Sequence, residues 1–177
     1  MKIHLQTKDF ITRDIEEDDL EGMFDLDSNS RVHKYLGENP IKTKDQARDI
    51  IKNIREQYDT NGIGRWAIED KKTGEFIGWT GFRLEGKLRP DREYIDIGYR
   101  LREKFWGKGI ATETALACLK YGFETLNYDK ICGCAEIEHI ASNKILQKIG
   151  LKYIEDFKFE KHNLHWYVLT QEEWHNK

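Results

Sequence analysis

The stretch 93–126, EYIDIGYRLREKFWGKGIATETALACLKYGFETL, constrains this chain more than any other, because its hydrophobic period changes halfway along. From Tyr94 to Leu101 apolar residues alternate with polar or small ones. Ile95, Ile97, Tyr99 and Leu101 point one way, and Tyr94, Asp96, Gly98 and Arg100 the other. That alternation predicts a half-buried strand. Glu103 to Trp106 and then Gly107-Lys108-Gly109 follow, and a run with helical spacing comes next. Its polar stripe is Glu113, Ala117, Lys120, Glu124 and Asn127. A helix wet along one stripe is mostly buried, and Ala111, Ala115, Cys118 and Gly122 would let its axis lie close to a sheet.

Such closeness fixes where the helix begins. The amides of its first turn, at Ile110, Ala111 and Thr112, have no intrahelical partner and sit at the positive end of the helix dipole, so they attract anions. Glycine at 107 and 109 removes side chains that would block a phosphate, and Arg100, Arg102, Lys104 and Lys108 place positive charge around the turn. A glycine-softened loop before an ordinary core helix is the plainer alternative. Two other phosphate loops are excluded. Lys108 is followed by Gly109 where a Walker loop needs Ser or Thr, and Thr112 stands where a dinucleotide fingerprint needs its third glycine.

The residues IGYRLREKFWGKGIATET at 97–114 and ASNKILQKIGL at 141–151 resemble the Gcn5-related N-acetyltransferases, and within them the ribosomal-protein N-terminal acetyltransferase branch. The likeness runs from Phe10 to about Trp174. It departs at Lys104, which occupies the Arg/Gln position of the family's turn. The resemblance implies one α/β domain over 1–177, with a mixed, mostly antiparallel sheet splayed around the cofactor and helices on both faces. It implies acetyl-CoA as cosubstrate, its pantetheine arm paired like an added strand with Tyr99, Arg100 and Leu101. The pyrophosphate would lie on Lys104, Trp106, Gly107, Lys108, Gly109, Ile110, Ala111 and Thr112. The family's asparagine before this second motif is His139 here, leaving adjacent Asn143 as the amide to contact pantetheine. The tyrosine of other branches is Leu146, leaving Ser142 as the hydroxyl nearest the thioester.

Acetyl transfer to an amine needs a neutral nucleophile and help for the departing thiolate. Asp96 and Glu93 on the central strand, and Glu136 on the next, are candidate bases; each reads more readily as an ordinary strand-edge or ion-paired acid. Ser142 reads also as a helix-capping serine. Trp66, Trp79 and Trp166 read as core. Substrate contacts are expected from the loops Asp27 to Asn39 and Glu85 to Arg92.

Charge and composition limit the alternatives. A net charge of −3 argues against a nucleic-acid binder. No apolar run is long enough for a membrane span and the N-terminus lacks a signal-type segment, so the cytoplasm is the expectation. Cys118, Cys132 and Cys134 are an odd number lacking Cys-x-x-Cys spacing, which predicts core thiols and no metal site. The remaining pattern predicts a strand at Phe10 to Arg13, a helix carrying Leu20, Met23, Phe24 and Leu26, and a turn bearing Val32, Tyr35 and Leu36. A helix from Lys44 to Tyr58 follows, then strands at 65–69, 76–84 and 131–137, a helix at 140–149, and a terminal hairpin through Lys161-His162-Asn163.

Two functions fit this reading. One is an acetyl-CoA-dependent N-acetyltransferase, monomer or homodimer, acting on a protein N-terminus or a small amine. The other is a non-catalytic module that keeps the CoA-binding fold.

Overall fold

A computed structural model describes residues 2–35 and 37–176, so Leu36 lies outside the described residues. Eight strands form one sheet in the order β1-β2-β3-β4-β5-β6-β8-β7. They are β1 Ile3–Gln6, β2 Phe10–Arg13, β3 Arg65–Asp70, β4 Phe76–Glu85, β5 Tyr94–Leu101, β6 Lys130–Glu136, β7 Lys152–Phe159 and β8 His162–Thr170. The helices are α1 Leu20–Ser28, α2 Lys44–Asn61, α3 Ile110–Glu124, α4 Ile140–Lys148 and α5 Gln171–His175. None of the described helices is long and apolar enough to cross a membrane.

Each boundary has a local cause. Helix α2 starts at a capping box, with Thr43 Oγ1 accepting from the Gln46 amide at 3.3 Å and Gln46 Oε1 accepting from the Thr43 amide at 3.1 Å. It ends at Gly62, which takes the left-handed conformation at φ 68°. In the loop after β3, Asp70 Oδ1 accepts from the amides of Lys72 and Thr73 at 2.8 and 2.9 Å.

The two faces of the sheet are covered differently. On one, Met23 and Leu26 of α1 and Ala47, Ile51 and Ile54 of α2 pack over Ala67 and Phe76. On the other, α3 and α4 bury Ala115, Cys118, Leu119, Phe123, Leu146 and Ile149 against Phe82, Ile97, Ile131 and Ala135. Helix α3 does lie close to the sheet. A Cβ at Gly122 would stand 2.8 Å from both Phe82 Cζ and Ile131 Cδ1, so that crossing depends on glycine.

All neighbouring pairs are antiparallel except β5 and β6, which run parallel and meet at a single register pair, Asp96 with Cys132. Beyond it the two strands diverge and leave an opening bounded by the C-terminal half of β5. Strand β5 is covered on both faces, because Tyr94 and Asp96 are buried along with Ile97 and Leu101. The half-buried expectation therefore fails at its polar end. Two elements lie outside the sequence-based expectations, namely β1 at the sheet edge and the short helix α5.

Candidate active site

The opening between β5 and β6 has an edge of free main chain. Arg102 N–H donates to the Ile77 carbonyl of β4 at 2.9 Å, so by alternation Arg100 and Gly98 also face β4, and Tyr99 and Leu101 face the opening. The Leu101 carbonyl is already taken by the Trp106 indole N–H at 2.8 Å. That leaves the Tyr99 main chain and the Leu101 amide to receive an added strand.

At one end of the opening lies the glycine turn. Gly107 and Gly109 take φ values of 73° and 78°, a left-handed backbone that only glycine adopts without strain, and a Cβ at either would meet nothing within 4 Å. Gly109 is the N-cap of α3 and no side chain caps the helix, so its first-turn amides look onto open space. The Ile110 and Ala111 side chains point inward and are buried. These features fit a pyrophosphate: room, unclaimed amides and the positive end of a 15-residue helix.

The expected ring of positive charge is mostly committed elsewhere. Arg100 donates to Asp27 Oδ1 at 2.5 Å and stacks over Trp79 at 5.0 Å, on the α1 side of the sheet and away from the turn. Arg102 binds Asp25 at 2.6 Å and Glu75 at 2.9 Å, and Lys104 also pairs with Glu75. Lys104, then Arg102, hold the Glu75 carboxyl below the usual carboxylate range. Among the described residues Lys108 has no ion pair; its ammonium stands 5.3 Å from the Phe105 ring centre. The charge near the turn is therefore largely that of Lys108.

At the other end are β6 and the start of α4. Tyr99 O–H donates to the Ser142 carbonyl at 3.0 Å, and its oxygen lies 3.2 Å from Ser142 Oγ. His139 caps α4, with Nδ1 accepting from the Ser142 amide at 3.5 Å. Burial lowers the His139 pKa, so the ring is neutral near pH 7. Asn143 is 7% exposed and its amide is spent inside the protein. Its Nδ2 donates to the carbonyls of Glu136 and His139 at 2.9 and 3.0 Å, and its Oδ1 accepts from the Tyr167 hydroxyl at 2.8 Å. Those bonds make Asn143 a staple of the β6–α4 turn, its amide occupied by the protein's own groups.

The candidate bases divide. Asp96 is 6% exposed and paired with Arg65, whose guanidinium also donates to the Gly81 carbonyl at 2.5 Å and the Asp96 carbonyl at 3.1 Å. Burial pushes the Asp96 carboxyl up, and Arg65 opposes that shift. So enclosed, Asp96 neutralises the buried Arg65. Gly98 makes room for the pair, since a Cβ there would stand 2.8 Å from Arg65 Cζ. Glu136 is half-buried with His162 Nδ1 2.7 Å away. Glu93 is exposed in the loop before β5.

Four contacts escaped the sequence reading, and all involve the loop after α1. Asn29 Nδ2 donates to Glu103 Oε2 at 2.8 Å and Arg31 pairs with the same carboxylate, beside the glycine turn. His33 Nε2 lies 3.3 Å from Asp27 Oδ1, the atom that also holds Arg100. Tyr35 stacks on His139 with ring centres 4.4 Å apart. The loop thus crosses from the turn to the α4 cap on the side where α1 and α2 lie. Trp66 and Trp166 are core as expected, whereas Trp79 is half-buried between Arg65 and Arg100.

Comparison with known proteins gives this arrangement a family. The acetyltransferase (GNAT) domain model matches residues 9–152. An uncharacterized N-acetyltransferase of Bacillus subtilis (strain 168), YoaA, is 31% identical over 148 residues, covering 84% of this chain and 82% of that protein. Spermidine N-acetyltransferase from Vibrio cholerae, solved with CoA and spermine, superposes with a TM-score of 0.77 at 18% identity, covering 96% of this chain and 100% of that one. RimL, a ribosomal L7/L12 alpha-N-protein acetyltransferase solved with coenzyme A, gives a TM-score of 0.81 at 15% identity, covering 97% and 99%. The free edge of β5, the open glycine turn and these likenesses agree: the chain belongs to the GNAT acetyltransferase family, enzymes that transfer acetyl from acetyl-CoA to amines.

Proposed function

We propose that this chain acetylates a primary amine, carried by a protein N-terminus or a small molecule, by direct attack on acetyl-CoA in a ternary complex. The observation that carries the reading is the position of the β5–β6 opening, which runs between a turn suited to pyrophosphate and the Ser142 hydroxyl. A thioester drawn along the β5 edge would present its carbonyl to main-chain amides and its sulfur to the start of α4. The named activities of RimL and the spermidine enzyme, one on a protein and one on a polyamine, support an amine acceptor and leave both classes in view.

In this reading Ser142 donates a hydrogen bond to the departing thiolate. Glu136 takes the amine's proton, directly or through water, since it is the half-exposed acid on the strand that borders the opening. The acceptor reaches the thioester past the loop that carries Tyr35. Ser142→Ala tests the assignment. Because a thiol of pKa near 8.5 leaves readily, kcat should fall only about 10- to 100-fold, or roughly 1.4–2.7 kcal/mol, with CoA affinity unchanged. If Ser142 serves only to hold α4 to β5 through the Tyr99 hydroxyl, melting falls, by about 1 kcal/mol of stability, and kcat does not move.

A further inference from the structure

The ring of Tyr99 rises from β5 on the face that α4 covers, and its main chain borders the opening. The side chain therefore joins the strand that would hold the thioester to the helix that would meet its sulfur. Among the described residues it carries the side-chain hydroxyl that lies within hydrogen-bond reach of Ser142 Oγ, at 3.2 Å. Helix α4 offers none on its inward side, where Leu146 is 2% exposed and packs over Gly133. The neighbouring Tyr167 hydroxyl is committed to Asn143.

We propose that Tyr99 is a positioning residue for acetyl transfer, its phenol holding the Ser142 hydroxyl in place as donor to the leaving thiolate. This rests on the role given to Ser142 above. Each hydroxyl brings one proton. As the amine nitrogen bonds to the acetyl carbon and the C–S bond breaks, the bonding pair leaves on sulfur, and the proton on nitrogen passes to Glu136 or water. With the Ser142 proton turned to sulfur, the single phenol proton swings from the Ser142 carbonyl, 3.0 Å away, to Oγ at 3.2 Å, and a hydroxyl that accepts one bond donates the next more strongly. The phenol keeps its own proton throughout. Burial pushes its pKa well up, against a smaller opposing effect of Ser142, so Tyr99 remains a donor at working pH and is a poor acid. The thiolate is released as such and picks up its proton from solvent.

A four-member set of wild type, Tyr99→Phe, Ser142→Ala and the double variant tests this, with kcat and the KM for acetyl-CoA measured in each. Tyr99→Phe should lower kcat roughly 3- to 10-fold, the worth of one hydrogen bond, with KM unchanged and little further loss in the Ser142→Ala background. The deficit should shrink when acetyl-CoA is replaced by an acetyl thioester of a more acidic thiol, which needs less help to leave. Equal losses in both serine backgrounds, or a deficit indifferent to thiol acidity, would overturn the proposal and leave Tyr99 as an anchor of the Ser142 carbonyl. Wild-type kcat in Ser142→Ala would remove the serine itself from the mechanism. A slow Ser142→Ala beside an unaffected Tyr99→Phe would remove Tyr99 alone. Should Tyr99→Phe not fold, Tyr99→His carries the same thiol comparison. A steeper dependence on leaving-group acidity than wild type supports the proposal, and a parallel dependence overturns it.

Discussion

Replacing Gly109 by valine separates the two reasons a glycine can be needed at the turn. At φ 78° a side chain is strained, and the left-handed conformation costs an L-residue about 1–2 kcal/mol. Since a Cβ there meets nothing within 4 Å, no clash adds to that cost. For a chain of this size the melting temperature should fall by roughly 2–8 °C and the fold should persist. Binding should suffer far more, because the new methyls would occupy the space in front of the α3 amides. Losing two charge-assisted hydrogen bonds at about 1.5–3 kcal/mol each weakens CoA binding on the order of 10²- to 10⁴-fold. Gly62 supplies a control, being a helix C-cap at φ 68° that also opens onto empty space. Gly62→Val should lose similar stability and keep its CoA affinity. Calorimetric titration of both variants with CoA and with acetyl-pantetheine, beside melting curves, reads all of this. Unchanged CoA affinity in Gly109→Val, or equal weakening in the two variants, would refute the phosphate-cradle reasoning.

Asp96→Asn should destabilise by about 3–5 kcal/mol in denaturant titration, because it leaves Arg65 charged and buried; a variant of normal stability and lowered kcat would instead restore Asp96 as a base. Asn143→Ala should lose about 2–4 kcal/mol by stranding the Tyr167 hydroxyl and the β6–α4 carbonyls, with CoA affinity intact at low temperature; a selective loss of CoA binding would return Asn143 to the cofactor site. Stability should decline as pH falls below about 6.5. His33 and His139 have folded pKa values below their unfolded 6.5, chiefly from burial, with Arg100 adding to the effect at His33, so the unfolded chain binds more protons there. A His33→Gln, His139→Asn double variant should show a shallower decline between pH 7 and 5, and an unaltered slope would exclude both rings.

What the sequence disclosed was what a short window contains. Alternation marked β5 and a change of period marked α3. Two glycines marked the turn between them, and in the structure both need their left-handed backbone. What it hid was partnership across distance. Arg100, Arg102 and Lys104 read as charge for a phosphate, yet their carboxylates come from Asp27, Asp25 and Glu75, which the window does not hold. Asp96 alternates like an exposed residue, and only the approach of β3 with Arg65 shows that its face is closed. Asn143 looked free for a ligand until β8 brought Tyr167 to it. The Tyr99–Ser142 contact joins residues 43 apart and leaves no local pattern. Strand β1 is a four-residue edge strand with little burial, and α5 is five residues held by its Thr170 cap, so neither is long enough to show a period.

The central claim is acetyl transfer to an amine, and acceptor-dependent release of CoA thiol tests it most directly. Purified protein with acetyl-CoA would be offered N-terminal peptides, polyamines, aminoglycosides and small amino metabolites in turn, with thiol release followed continuously and products weighed by mass spectrometry. The account predicts that at least one primary amine raises thiol release well above the rate without acceptor and gains one acetyl group per thiol freed. Tight binding of acetyl-CoA, with no amine raising thiol release over that background, would contradict it and leave a CoA-binding module in its place.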